Sequence, residues 1–243
     1  MMEHAQMNTP LAERYAAVRL RLGTAVRRAG RAPADVTLVA VSKYHPAEAV
    51  AAVAALGQRD FGENYVQEAL QKQEALAGEG ILWHCIGHVQ SRKAKDVAGR
   101  FALIHTVDSE KLAHNLHKAL WRPEDDTCPI VQDVLLQVNI GEEVQKSGID
   151  AAETARLAET VLQLPTLRLC GLMCLPPFFD DGEAARPFFA ALRKLRDDLE
   201  RSLGVPLPHL SMGMSGDFEQ AVEEGATIVR VGTDIFGPRP PRP

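Results

Sequence analysis

A lysine stands at the end of a short apolar run near the start of the sequence. Residues 37–43, TLVAVSK, are rich in β-branched side chains and predict a strand that ends on Lys43. Side chains alternate along a strand, so Lys43 shares a face with Val39 and Val41. One interpretation is an exposed lysine where a strand meets water. The other is a partly desolvated, nucleophilic amine that condenses with an aldehyde, and it requires a partner site elsewhere.

Two segments near the C-terminus combine glycine with hydroxyl side chains. Ser215 lies in residues 211–217, SMGMSGD, between a predicted strand and a predicted helix, and Gly232 and Thr233 follow the last predicted strand. The start of a helix favours anions, and barrels often hold phosphate between the loops after strands seven and eight. Each segment alone is interpreted more simply as a helix cap or a turn. Together they predict a phosphate site.

Arg230 interrupts an otherwise apolar strand at residues 227–231, where it shares a face with Ile228 and Gly232. Exposure at the strand end is the alternative to a buried role. Beside a bound pyridine ring a guanidinium can only donate, which keeps the ring nitrogen unprotonated. A lysine, a phosphate site and a ring-nitrogen donor together predict pyridoxal phosphate as the cofactor.

The elements that must position these residues alternate between strand and helix. The chain has 243 residues and 26.5 kDa, close to the roughly 250 residues of one α/β barrel. Strands are predicted at 37–43, 81–86, 103–107, 131–138, 167–173, 208–212 and 227–231, with a short apolar turn around Phe61, and helices at 9–30, 46–56, 64–76, 89–97, from 108, 150–164, 180–203 and 218–224. These roughly eight alternations predict a single (β/α)8 TIM barrel.

A doubly wound open sheet is the alternative, but no Gly-x-Gly-x-x-Gly follows the first strand. The barrel is expected over 9–237, between a flexible N-terminus at 1–8 and a proline-rich flexible tail at 238–243.

Composition argues against several classes of partner. The net charge is -5 and no long basic run occurs, which disfavours a nucleic-acid surface. The first residues lack the features of a signal peptide, and no apolar segment approaches the length of a membrane span. We therefore expect a cytoplasmic protein that handles a small molecule.

Metal binding is also disfavoured by the sequence. The four cysteines are irregularly spaced; Cys170 and Cys174 would share a strand face, but no further ligand cluster accompanies them. His84 and His88 are four residues apart in a strand-to-loop segment, which does not place them on one helical face. Packing or hydrogen bonding is the preferred interpretation for both pairs.

Seven motifs carry a resemblance to a known family. They are AVSK at 40–43, FGENYVQE at 61–68, WHCIGHVQ at 83–90, GLM at 171–173, SMGMS at 211–215, VRVG at 229–232 and IFG at 235–237. This set, which spans nearly the whole chain, resembles the signatures of the pyridoxal phosphate homeostasis protein family. The resemblance implies a barrel similar to the N-terminal domain of alanine racemase, pyridoxal 5'-phosphate bound as an aldimine, and no enzymatic activity of its own.

The resemblance also implies roles for individual residues. It assigns Lys43 to the aldimine, Ser215, Gly232 and Thr233 to the phosphate, Arg230 to the pyridine nitrogen, and Asn64, Ile86 and Met212 to the surroundings of the ring. Asn64 is alternatively a helix cap, and Ile86 and Met212 are alternatively core residues. The chain departs from the family pattern at Cys85, Val89 and Arg92, none of which is a proposed cofactor contact. Glu142, Glu143 and residues 146–148 also look like a family signature, on the loop after the fifth strand.

Two functions use the same lysine. A racemase needs proton transfer at both faces of the substrate carbon, and the racemase fold takes its second base, a tyrosine, from an additional β-rich domain. The sequence continues only a few residues past the last predicted strand and contains three tyrosines, Tyr15, Tyr44 and Tyr65. We therefore expect a monomer that holds pyridoxal phosphate and supplies it to apo-enzymes through transient contacts, without turnover. An amino-acid racemase is the alternative.

Overall fold

The computed structural model describes residues 9–121, 130–141 and 147–238. The strands are β1 Thr37–Val41, β2 Asp60–Glu63, β3 Leu82–Cys85, β4 Leu103–Val107, β5 Gln132–Val138, β6 Leu167–Cys174, β7 His209–Ser211 and β8 Ile228–Val231. They form one closed parallel barrel in sequence order, with β1 also paired to β8. The predicted (β/α)8 barrel is confirmed.

Helices surround the barrel and connect its strands. They are α1 Thr9–Arg28, α2 Ala47–Ala55, α3 Val66–Ala75, α4 Ala94–Val97, α5 Glu110–Leu120, α6 Thr154–Leu162, α7 Arg186–Leu203, α8 Phe218–Glu223 and α9 Thr233–Phe236. Most bounds differ from the predicted ones by one to three residues. Pro187 lies in the first turn of α7, as predicted, where its missing N–H leaves no helical bond unmade.

The core has two parts, inside the barrel and between the barrel and the helices. Val39 belongs to the inner cluster, together with Leu135, Met173 and others, whereas Leu38 and Ala40 pack in the outer cluster. The alternation predicted for β1 is therefore confirmed. The strand itself ends at Val41, so that Lys43 lies in the turn that follows.

The segment around Phe61 was expected to be a turn and is instead the strand β2. Four residues containing a glycine and two carboxylates carry little periodicity, so the local signal is weak. The strand exists because β1 and β3 provide backbone partners on both sides: Phe61 pairs with Ala40 and with Trp83. The short helix α9 was also not predicted. At this point the sequence indicates only the glycine–hydroxyl pair at 232–233 and then a tail after residue 237.

The two cysteines of β6 do not form a pair on one face. Cys170 contributes to the inner cluster and Cys174 to the outer one. Between them the pairing with β5 shifts register next to Gly171, which has φ 148°. A Cβ at Gly171 would lie 1.9 Å from the carbonyl oxygen of His209, so glycine permits this irregularity.

Some predictions fall outside the described residues. These are the flexible N-terminus at 1–8, most of the tail at 238–243, Cys128, and Glu142, Glu143 and Lys146 of the loop after β5. Within the described part of the chain, no helix is both long enough and apolar enough to cross a bilayer.

Candidate functional site

A cavity of about 510 Å³ opens at the carboxyl ends of the strands. Parallel strands point the same way, so the residues that follow them collect at this end of a barrel. The lining residues are Val41, Lys43, Asn64, Ile86, Leu175, Pro176, Pro177, Phe178, Phe179, Met214, Ser215, Gly216, Asp217, Arg230, Gly232 and Thr233. Seven of the eight predicted site residues are thus brought together.

The turn that carries Lys43 is held from behind by a buried ionic cluster. The Lys72 ammonium, on α3, donates to the carbonyl of Ser42 at 2.8 Å and to the carboxylate of Glu63 at 2.6 Å. The Ser42 hydroxyl donates to the same Glu63 oxygen at 2.6 Å. Ser42, Glu63 and Lys72 are all buried. The residue before Lys43 is therefore fixed through both its backbone and its side chain.

The residue after Lys43 is fixed by the same cluster. The Tyr44 N–H donates to Glu68 at 2.6 Å, and the Lys72 ammonium donates to the same carboxylate oxygen at 2.7 Å. Tyr44 has φ 69°, the left-handed conformation that a bulky residue rarely adopts. The hydrogen bond to Glu68 helps to hold this conformation, which turns the chain at the cavity wall.

Burial dominates the electrostatics of this cluster. Desolvation raises the pKa of Glu63, although Lys72 and the Ser42 hydroxyl act in the opposite direction. Its second oxygen, Oε2, is buried and has no partner among the described residues. The carboxylate is thus held in place by one oxygen only.

The two loops predicted to bind phosphate meet in the cavity. Ser215 and Gly216 follow β7, and Gly232 and Thr233 follow β8. The Asp217 carboxylate accepts the Met214 N–H at 2.6 Å and closes the first loop on itself. A Cβ at Gly232 would lie 3.2 Å from the carbonyl oxygen of Val41, so a glycine here lets β8 run close to β1.

The hydroxyls of these loops are available to a ligand. Neither Ser215 Oγ nor Thr233 Oγ1 makes a hydrogen bond to any residue that the structure describes. Both can donate one hydrogen bond and accept others. Small residues and unoccupied donors on two adjacent loops suit an anion.

Arg230 is buried in β8 and reaches the cavity from inside the barrel. Its Nη1 donates to Ser211 Oγ at 2.6 Å and its Nη2 donates to the carbonyl of Cys174 at 2.9 Å. Burial lowers the pKa of Arg230 from its ordinary value. The prediction that this arginine is buried is confirmed, exposure at the strand end is excluded, and its side chain lines the same cavity as the loops after β7 and β8.

The three residues expected around the ring divide into two groups. Asn64 and Ile86 line the cavity. The side-chain oxygen of Asn64 is buried and has no hydrogen-bond partner among the described residues, so it can accept a bond from a ligand. Met212 is fully buried in the outer core and is not among the lining residues.

The two histidines considered as metal ligands point to different partners. His84 contacts Asp60 and His105, whereas His88 is half-exposed and its Nδ1 lies 3.3 Å from the Asp108 carboxylate. No group of three or more metal-ligating side chains occurs in the ranges 9–121, 130–141 and 147–238.

Comparison with known proteins places this geometry in a family. Residues 15–240 match the family model described as "Alanine racemase, N-terminal domain". The pyridoxal phosphate homeostasis protein of Pseudomonas aeruginosa is 47% identical over 94% of this chain and 96% of its own length. The chain belongs to the pyridoxal phosphate homeostasis protein family. The member from Aquifex aeolicus is 44% identical over 93% of this chain and 97% of its own length.

A solved structure of the family carries a ligand. PipY of Synechococcus elongatus, a structure with pyridoxal phosphate bound, superposes with a TM-score of 0.79 at 36% identity, over 93% of this chain and all of its own. The fold of this chain is therefore shared with a family member known in complex with that cofactor.

Reasoning from the sequence missed several residues of the site. Glu63, Glu68 and Lys72 were not assigned roles, although Glu63 and Glu68 lie inside the FGENYVQE motif that signalled the family. The apolar rim formed by residues 175–179 was missed as well, because no pattern in a short proline-containing loop indicates which cavity it borders.

Proposed function

We propose that this chain binds pyridoxal phosphate in the cavity at the carboxyl ends of the strands and serves in homeostasis of that cofactor. The observation that carries the proposal is the meeting of Lys43, the two hydroxyl-bearing loops and Arg230 in one cavity. Bound pyridoxal phosphate supplies an aldehyde that bonds reversibly to a lysine amine. The names of the relatives and the ligand of PipY support the same cofactor.

The residues present fit this cofactor. The cavity volume lies within the roughly 300–1,000 Å³ of small-molecule sites. Ser215, Gly232 and Thr233 would hold the phosphate, and Lys43 would take the aldehyde. The buried, unpartnered oxygen of Asn64 is what a site built for a polar ligand shows. Ile86 would pack against the ring, whereas Met212 lies in the outer core and not among the lining residues.

Arg230 would meet the ring nitrogen. A guanidinium has only donors, so a nitrogen placed against it accepts a hydrogen bond and carries no proton of its own. An unprotonated ring withdraws electrons poorly, which suits a protein that holds the cofactor rather than one that uses it.

We infer further that the chain holds and supplies the cofactor without turning over amino acids. Among the described residues that line the cavity, the ionisable side chains are Lys43, Asp217 and Arg230. Asp217 already accepts the Met214 N–H, and burial raises its pKa; Arg230 can only donate. Racemisation needs a proton carrier on each face of the substrate carbon. This composition supports a carrier without turnover, and we propose that the carrier acts as a monomer and contacts apo-enzymes transiently.

The supply of cofactor is tested by transfer. The purified protein loaded with pyridoxal phosphate is mixed with an apo-enzyme that depends on it, and activity is followed over time. If the apo-enzyme regains activity faster than the protein releases free cofactor, the protein supplies the cofactor directly. If activity returns only at the rate of free release, the role is limited to storage. In parallel, L-alanine and L-serine are incubated with the loaded protein and analysed on a chiral column. D-amino acid formed by the wild type and absent with Lys43→Ala would identify a racemase instead.

A further inference from the structure

A continuous chain of hydrogen bonds runs from Arg230 through the interior of the barrel. Arg230 Nη1 lies 2.6 Å from Ser211 Oγ, which lies 2.8 Å from His105 Nδ1. His105 Nε2 lies 2.9 Å from His84 Nδ1, and His84 Nε2 lies 3.0 Å from Asp60 Oδ1. Five side chains from β8, β7, β4, β3 and β2 thus form one line of four contacts. We call it the barrel chain.

The barrel chain connects the two ends of the barrel. Arg230 lines the cavity at the carboxyl ends of the strands. Asp60 is the first residue of β2, at the opposite end, and its side chain is 24% exposed. His105 and Ser211, in the middle, are fully buried. The buried cation at the cofactor site is therefore joined to a carboxylate that water reaches from the other end.

The side chains at the two ends of the barrel chain, Arg230 and Asp60, give its hydrogen bonds a direction from donor to acceptor. Arginine has only donors and an ionised carboxylate has only acceptors. Burial drives the pKa of His105 well below its ordinary value, so this imidazole is neutral and has one donor and one acceptor. One arrangement that satisfies every contact runs in a single direction: Arg230 donates to Ser211, Ser211 to His105, His105 to His84, and His84 to Asp60. Both imidazoles then carry their proton on Nε2.

Arg230 needs such an anchor because its charge is buried without a salt bridge. No carboxylate of the described residues forms an ion pair with it. Its other observed acceptor is the backbone carbonyl of Cys174. A guanidinium held by two acceptors keeps one orientation, and hydrogen bonds in a dry interior strengthen one another.

We propose that Asp60, His84, His105 and Ser211 are positioning residues that orient Arg230 toward the cofactor ring, so that cofactor affinity depends on a carboxylate at the far end of the barrel. The proposal rests on the proposed function, because it assigns Arg230 to the ring of pyridoxal phosphate. It goes beyond that function by adding four residues, all of which lie outside the cavity wall and two of which are histidines.

The direction of the barrel chain is tested on the apo-protein, without any cofactor. Nitrogen-15 NMR of the imidazoles distinguishes the Nε2–H tautomer, the Nδ1–H tautomer and the imidazolium. We expect His84 and His105 to be Nε2–H tautomers in the wild type, and Asp60→Leu to change the signals of both. A wild-type His105 that carries its proton on Nδ1, or that is charged, would overturn the proposed arrangement.

The coupling to the cofactor is tested by titrating apo-protein with pyridoxal phosphate. Ser211→Ala removes the side-chain acceptor of Arg230, leaving only the Cys174 carbonyl, and should weaken binding about tenfold or more. Asp60→Leu removes the last acceptor and should weaken binding about two- to tenfold. Asp60→Asn keeps an oxygen that accepts from His84 and should restore most of the affinity. Asp133→Asn, which alters an ion pair with Arg168 outside the barrel chain, is the matched control and should leave the affinity unchanged.

Thermal unfolding of each apo-variant separates positioning from simple support. If Asp60→Leu lowers the melting temperature and leaves the affinity for pyridoxal phosphate at the wild-type value, the barrel chain is structural and the proposal is wrong. Equal losses in Asp60→Leu and Asp60→Asn would also contradict it. If the wild type itself fails to bind pyridoxal phosphate, the proposed function fails, whereas binding by the wild type with unchanged variants overturns the barrel chain's role alone.

Discussion

Two lysines flank the turn after β1, and their surroundings differ. The Lys72 ammonium is buried, and its three N–H bonds go to the Ser42 carbonyl, Glu63 and Glu68. Lys43 is half-buried and lines the cavity together with Ile86 and the loops after β7 and β8. The same functional group is thus enclosed by carboxylates on one side of the turn and presented to a ligand cavity on the other.

The comparison shows how a fold separates a structural lysine from the lysine that we assign to the cofactor. An amine reacts as a nucleophile only when it loses a proton and has an open approach. Lys72 donates three hydrogen bonds, two of them to carboxylates, so its amine has no open approach. Lys72 and Glu68 also fix Ser42 and Tyr44, the neighbours of Lys43, so the buried cluster positions the lysine that we assign to the cofactor.

The largest effect should come from Lys43→Ala, which removes the amine that we assign to the cofactor. Borohydride reduction of the loaded wild type should leave a pyridoxyl adduct on Lys43, found by mass spectrometry, and the variant should have none. Its fold should survive, because Lys43 lies in a turn and adds little to the core. An adduct on Lys72 or any other lysine would refute the distinction between the two.

Lys72→Met should lower the stability of the folded protein, because Lys72 holds the turn from behind and does not line the cavity. It leaves the buried Glu63 without a cation, and breaking a buried pair costs about 3–5 kcal/mol. Urea unfolding of the apo-protein measures this loss. Lys194→Met, which removes an exposed lysine paired with Asp198, is the control and should change little. A Lys72→Met protein as stable as the wild type would mean that the ionic cluster does not hold the turn.

Ser215→Ala and Thr233→Val test whether the cavity that Lys43 lines binds the phosphate of the cofactor. Each deletes a hydroxyl that we assign to phosphate, and hydrogen bonds to charged groups are worth about 1.5–3 kcal/mol. Each should therefore weaken binding of pyridoxal phosphate about ten- to a hundredfold. Ser202→Ala, on α7 and away from the cavity, should bind as the wild type does. Unchanged affinity in the double variant would place the phosphate elsewhere.

The smallest effect concerns the pH dependence of Glu63. Burial raises its pKa in the folded protein above the ordinary value of 4.5. Its contribution to stability is therefore complete below that value and is lost as the pH rises through the folded pKa. The unfolding free energy of the wild type, minus that of Glu63→Gln, should fall as the pH rises from about 4 to 7. A difference that grows with pH would mean that Lys72 outweighs burial.

Much of the site was predictable because it depends on local pattern. The alternation in residues 37–43 placed Lys43 at the carboxyl end of a strand, and Arg230 was conspicuous in an apolar strand. The glycine–hydroxyl pairs after the last two strands indicated an anion site. Strand and helix alternation indicated a barrel, and a barrel brings all strand ends together whatever the details of packing.

The sequence determined which residues have the chemistry for the cofactor, because residue type and short-range periodicity are written in it. Tertiary structure alone decided which polar residues are buried against one another. In the sequence, Glu63 looks like an ordinary residue at a polar strand end, and Lys72 looks like an ordinary residue of a charged helix. His105 and Ser211 are 106 residues apart. Their contacts exist only once the barrel closes, because closure brings strands distant in sequence within hydrogen-bond reach and excludes the water that would otherwise satisfy their side chains.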